Sequence, residues 1–170
     1  PVYSWDDDGA LKILTIGNSF SDDTMEYAWQ IADSLGVEEI CLGNLYIGGC
    51  SIDTHLSNAE NDAAAYDFRY NIDGTWNNEP NFKMGDAIAL QDWDFVSLQQ
   101  ASADSGMEST YSNVQKLADY VAEKLPSDAH AQLVWNMTWA YQKDSTHSAF
   151  PNYNNDQMKM YQMIVQTVQN

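Results

Sequence analysis

Four short runs of β-branched and apolar residues alternate along this chain with stripes of apolar residues at helical spacing. Leu11-Lys12-Ile13-Leu14-Thr15-Ile16 stops at Gly17 and reads as a buried strand. Glu39 to Ile47 reads as a second strand closed by Gly48-Gly49, Phe95 to Leu98 as a third, and Gln132 to Met137 as a fourth. Between the first two, Asp22, Asp23 and Thr24 are N-cap candidates for a helix carrying Met25, Ala28, Trp29, Ala32 and Leu35 and stopping at Gly36. Ile52 to Tyr66 is a weaker helix. Val114, Leu117, Ala118, Val121 and Leu125 form a stripe ended by Pro126, and Met158, Tyr161, Ile164, Val165 and Val168 form the last one. Asp67 to Asp86 is irregular, with Asp73-Gly74 between two aromatic segments, the signature of a small hairpin.

Alternating strands and helices predict an α/β chain, a three-layer α/β/α sandwich of flavodoxin-like type with a mainly parallel sheet. At 170 residues, one domain is expected, 11–170, behind an acidic N-terminal tether, 1–10. The 44% hydrophobic content, with 6 Trp, 10 Tyr and 5 Phe, supplies a core despite a net charge of −18. Arg69 is the sole arginine among seven basic residues, so no basic stripe exists to bind nucleic acid or an anionic membrane surface. No apolar run approaches the roughly 20 residues that span a bilayer. Pro1 stands where a start Met would, as in an exported protein after signal removal or in a trimmed chain, and an extracytoplasmic location is expected. Cys41 and Cys50 flank an extended strand. At about 3.3 Å per residue they lie too far apart for a disulfide, so two free thiols are expected. The acidic clusters lack calcium-loop spacing, and no Cys/His set has zinc spacing, so neither metal nor cofactor is expected.

In a parallel sheet, ligands bind beyond the C-terminal strand ends. That directs attention to Gly17-Asn18-Ser19-Phe20-Ser21, Gly48-Gly49-Cys50-Ser51, Gln99-Gln100-Ala101-Ser102 and the segment from Thr138. Ser19 lies between a strand and a helix, where its backbone N–H can face a developing oxyanion. Gly48-Gly49 suits a tight turn with positive φ.

Gly17-Asn18-Ser19-Phe20-Ser21 after Ile13-Leu14-Thr15-Ile16 resembles the first block of the SGNH (GDSL-like) hydrolase superfamily. Leu45 to Ser51 resembles the second block and Trp93 to Gln100 the third. The combination is most similar to an exported SGNH branch of anaerobic gut bacteria. The resemblance implies a serine esterase that removes an acyl group, acetyl above all, from a carbohydrate. Ser19 matches the nucleophile and first oxyanion donor, Gly49 the second donor. Most members have an Asn in the third block. Gln100 here matches the Gln of the acetylesterase branches better than Gln99 does. Asn18, Gly48, Gln99 and Trp139 are the expected substrate contacts.

The family's Asp-x-x-His supplies the base. Asp144-Ser145-Thr146-His147 spells it, but after a fourth strand rather than a fifth. Four of five strands are therefore expected here, with roughly 50–80 further residues beyond Asn170 carrying the working pair. On this reading the last helix, from about Asp156 to Gln169, covers the sheet. The fourth strand is left as an open edge able to pair with another chain or a second copy. His130 falls at the wrong end of the sheet, and His55 reads as a helix-surface histidine. The alternative is a non-catalytic carbohydrate-binding module on the same scaffold.

Overall fold

The computed structural model describes residues 9–127 and 129–170. The tether expected over 1–10 therefore lies outside the described residues save for its last two. Six strands form one sheet: β1 (Ala10–Gly17), β2 (Glu39–Tyr46), β3 (Tyr66–Asn71), β4 (Asn77–Phe82), β5 (Phe95–Leu98) and β6 (Gln132–Trp135). Their order is β4-β3-β2-β1-β5-β6. The four expected strands are β2, β1, β5 and β6, and they are mutually parallel. The Asp73-Gly74 hairpin is β3–β4, and it extends the sheet by pairing antiparallel with β2, so the sheet has six strands rather than the four of five expected, the extra pair coming from residues 66–82. Its outer strand β4 carries Pro80, which donates nothing and blunts that edge.

Period-two alternation sorts the core into two layers. Leu14, Ile16, Leu45, Val96 and Leu98 point to the face covered by α3 (Ile52–Glu60), α4 (Met84–Ile88) and α5 (Val114–Lys124). Trp93, fully buried there, donates its indole N–H to the carbonyls of Ala87 and Ile88 at the end of α4. Ile40 and Leu42 point to the other face, covered by α1 (Ser19–Met25) and α2 (Ala28–Ser34). This is the expected α/β/α sandwich with a mostly parallel sheet. Among the described residues no helix is long and apolar enough to cross a membrane.

Three local expectations are corrected. The first helix starts at Ser19, capped by Asn18, rather than after Asp22–Thr24, and it breaks at Tyr27 into α1 and α2. Leu35 consequently ends up 79% exposed, off the core stripe. The helix after β2 stops at Glu60, because Tyr66 onward is drawn into the hairpin. Finally, α6 (Gln157–Gln169) does not cover the sheet. Its Met160 and Ile164 pack on Phe150 and Tyr153 of a 3-10 turn. Leu133 and Val134 of β6, pointing to opposite faces, stay 43% and 40% exposed, and no described strand pairs with the outer edge of β6. Cys41 and Cys50 are free thiols.

Candidate functional site

The C-terminal ends of β1, β2, β5 and β6 converge on one rim, and Asn18 is the post around which it is built. Asn18 is 1% exposed. Its Oδ1 accepts from the N–H of Phe20 at 3.1 Å, capping α1, and from Gln99 Nε2 at 2.7 Å. Its Nδ2 donates to the carbonyl of Cys50 at 3.1 Å. One side chain thus fixes the start of α1, the end of β5 and the turn after β2. Gly17 makes this possible: a Cβ there would stand 2.7 Å from both Gln99 Cδ and Ser21 Oγ.

Ser19, the first residue of α1, is exposed at this rim. Gly48 and Gly49 occupy the middle of a turn closed by Cys50 N–H on Ile47 O, and Gly49 has φ +64°. That is the conformation for which glycine was expected. The turn is tied to the Ser19 loop twice, by Asn18 to Cys50 O and by Ile47 N–H to Gly17 O. Neither the N–H of Ser19 nor that of Gly49 has an acceptor among the described residues. Two unclaimed donors beside an exposed hydroxyl can polarise a carbonyl oxygen while the hydroxyl meets its carbon.

The third expected donor is not there. Gln100 is buried, and its Nε2 donates to the carbonyl and hydroxyl of Thr110, while its Oε1 accepts from the N–H groups of Ile52 and Ala101. It pins the start of α3 to the loop after β5, on the layer away from Ser19. Gln99 is the residue on the Ser19 layer, but both ends of its amide are engaged, Nε2 by Asn18 and Oε1 by Asn136 Nδ2 at 2.7 Å. Asn136, which follows β6 directly, is a site residue that the apolar pattern of its strand does not mark. It also meets Thr24 Oγ1, holding the other flank of α1.

A second tether holds the hairpin flank of α1. Asp22 takes Asn44 Nδ2 at 2.6 Å and an ion pair with Arg69 of the hairpin. Arg69 in turn lies over the Tyr46 ring, 3.7 Å from its centroid. The sole arginine therefore links the helix that carries Ser19 to the strand end that leads into Gly48-Gly49.

The Asp144–His147 pair is not assembled. His147 Nδ1 accepts from the N–H of Ala149 at 3.2 Å, and its Nε2 lies 3.5 Å from Tyr141 Oη. A working dyad needs Nδ1 to donate to the carboxylate, and here Nδ1 is an acceptor. Asp144 makes no hydrogen bond to the ring among the described residues. His130 is exposed just before β6, at the far end of the sheet. His55 is fully buried rather than on the helix surface. Its Nδ1 lies 2.9 Å from Tyr66 Oη, its Nε2 has no partner among the described residues, and burial lowers its pKa to about 4. Burial likewise lifts Cys50 to about 12, which keeps that thiol protonated and unreactive. No cluster of three or more His, Cys, Asp or Glu side chains forms a metal site among the described residues.

Trp139, 47% exposed, packs at a tilt against Phe20, ring centroids 4.3 Å apart and planes 50° from parallel, so it stands beside the residue that follows Ser19. Residues 12–170 match the family model described as DUF4886, a domain of unknown function. The chain belongs to the DUF4886 family. A DUF4886 protein from Bacteroides uniformis is 36% identical with a TM-score of 0.88, over 94% of this chain. This DUF4886 chain spans 62% of that structure's length. A candidate SGNH hydrolase from Slackia heliotrinireducens matches at TM-score 0.53 and 18% identity, over 94% of this chain and 72% of the other, a likeness of fold. No curated protein matches the sequence.

Proposed function

We propose that this DUF4886 domain carries the nucleophile of an SGNH-type serine esterase that deacylates a carbohydrate. The observation that supports it best is the exposed Ser19 hydroxyl beside the two unclaimed N–H groups of Ser19 and Gly49. In this reading Ser19 Oγ attacks the ester carbonyl and its proton passes to an imidazole. The oxyanion is held by the two N–H groups. The sugar alcohol leaves with that proton, and water then releases the acid from the acyl-serine. Gln100 has no part, because its donors are spent on Thr110. In this reading the imidazole is supplied neither by the Asp144–His147 pair, which is unassembled, nor by the buried His55.

The test is acetate release from O-acetylated oligosaccharides by the full-length protein. Turnover that falls at least ~10³-fold in Ser19→Ala supports the proposal. Turnover that survives the substitution removes it. A second reading, a carbohydrate-binding module without chemistry, is favoured by the unassembled Asp144–His147 pair together with the exposed Trp139. It predicts glycan binding with no turnover by the full-length protein.

A further inference from the structure

The two flanks of α1 differ in charge. On the hairpin flank a cavity of about 330 Å³ is walled by Asp22, Asp23, Glu26, Arg69 and Trp76. On the β6 flank a larger cavity, about 750 Å³, opens beside Trp139 and runs along Tyr141, Gln142, Ser145, Thr146 and Gln157. Asp144 is the one charged side chain among the described residues of its wall. The volume lies within the range of sites for small ligands.

We infer that this second cavity is the sugar subsite of the Ser19 centre, taking a neutral pyranose of a glycan with its apolar face on Trp139. The inference rests on the carbohydrate-esterase reading only for the role of Ser19. The Trp139 ring is half exposed, yet it is braced from behind by Phe20, next in sequence to Ser19. A ligand stacked on it would lie beside the first turn of α1, which carries Ser19. The shelf is built rather than loose. Tyr141 Oη lies 2.9 Å from Ser102 Oγ at the end of the β5 segment, the Tyr141 N–H meets Met160 Sδ, and its ring packs edge-on against Phe150. The neighbouring Thr138 hydroxyl is 3% exposed and has no partner among the described residues, an uncompensated polar group next to the platform.

The rim chemistry sets the class of sugar. Gln142, Ser145, Thr146 and Gln157 present amides and hydroxyls, each able to donate and to accept, as sugar hydroxyls do. No cation among the described lining residues would hold a uronate carboxylate. Asp144, the acidic flank of α1 and a chain charge of −18 all repel it.

The test is calorimetric titration of the full-length protein carrying Ser19→Ala, which separates binding from turnover. The probes are xylotetraose, cellotetraose, mannotetraose and trigalacturonate. At least one neutral tetraose is expected to bind about tenfold or more tighter than trigalacturonate. Trp139→Ala should weaken that binding about tenfold, while Trp139→Phe, which keeps a ring on Phe20, should stay within about threefold. No binding by any tetraose, equal binding of trigalacturonate, or an unaltered Trp139→Ala would overturn the inference. Fluorophosphonate labelling of the protein with Ser19 intact reports on the esterase reading separately. An unlabelled Ser19 with Trp139-dependent binding removes the chemistry and leaves the subsite.

Discussion

Asn18→Ala should be the costliest polar truncation at the rim. The substitution removes an N-cap, worth about 1 kcal/mol. It also strips the partner from Gln99 Nε2 and from the Cys50 carbonyl, two buried groups that each lose about 1–3 kcal/mol when left unpaired. Partial relaxation makes the sum less than additive, so a loss of about 4 kcal/mol is expected against a typical total of about 5–15. For a chain of this length that lowers Tm by about 8–16 °C. Asn18→Asp refines the argument. It keeps both acceptor contacts but turns a carboxylate oxygen toward the Cys50 carbonyl. That raises the folded-state pKa of the new carboxyl above its usual value near ~3.9. The protonated acid can donate to Cys50 O, so the deficit relative to wild type should be small below about pH 4 and grow as pH rises through the raised pKa. Urea unfolding followed by tryptophan fluorescence at several pH values measures both effects. A loss below about 1 kcal/mol for Asn18→Ala, or a pH-independent deficit for Asn18→Asp, would refute the view of Asn18 as the post of the site.

Two further outcomes follow from the buried polar groups. His55 titrates near 6.5 when unfolded and about 4 when folded, so the unfolded chain binds the extra proton between those values. Stability should therefore be fully present above about pH 6.5 and fall as pH drops toward 4, by roughly 3 kcal/mol from this group, and His55→Gln should flatten that part of the urea-midpoint profile. Gln100→Ala should lower Tm, because Ile52 N–H and Ala101 N–H lose their acceptor. It should leave the rate of Ser19 labelling per folded molecule within about threefold, where loss of an oxyanion donor costs about 10²–10³.

The sheet was legible because short apolar runs alternating with helical stripes have few other uses, and the Asp73-Gly74 turn correctly marked β3–β4. The start of α1 was not, because Asn18, Asp22 and Asp23 are all good caps by type. Only the packing of Gln99 and Cys50 around Asn18 selects among them. The choice between Gln99 and Gln100 turned on strand alternation. Val96 and Leu98 face α3 and α5, so Gln99 falls on the α1 layer and Gln100 falls opposite, where Ile52 and Thr110 hold it. That signal was present in the strand pattern. So was the burial of His55, which joins Ile52, Leu56 and Ala59 in one helical stripe. The Arg69–Asp22 tether had no sequence signal, since residues 47 apart meet only through the antiparallel hairpin.

The central claim is that Ser19 is the reactive nucleophile of this rim, and covalent labelling tests it most directly. The full-length protein is treated with a fluorophosphonate and the adduct located by peptide mass spectrometry. The account predicts a single adduct on Ser19, absent in Ser19→Ala and absent in urea-unfolded protein. No adduct on the folded protein, or an adduct on Ser102, Ser105 or Tyr141 in place of Ser19, would contradict it.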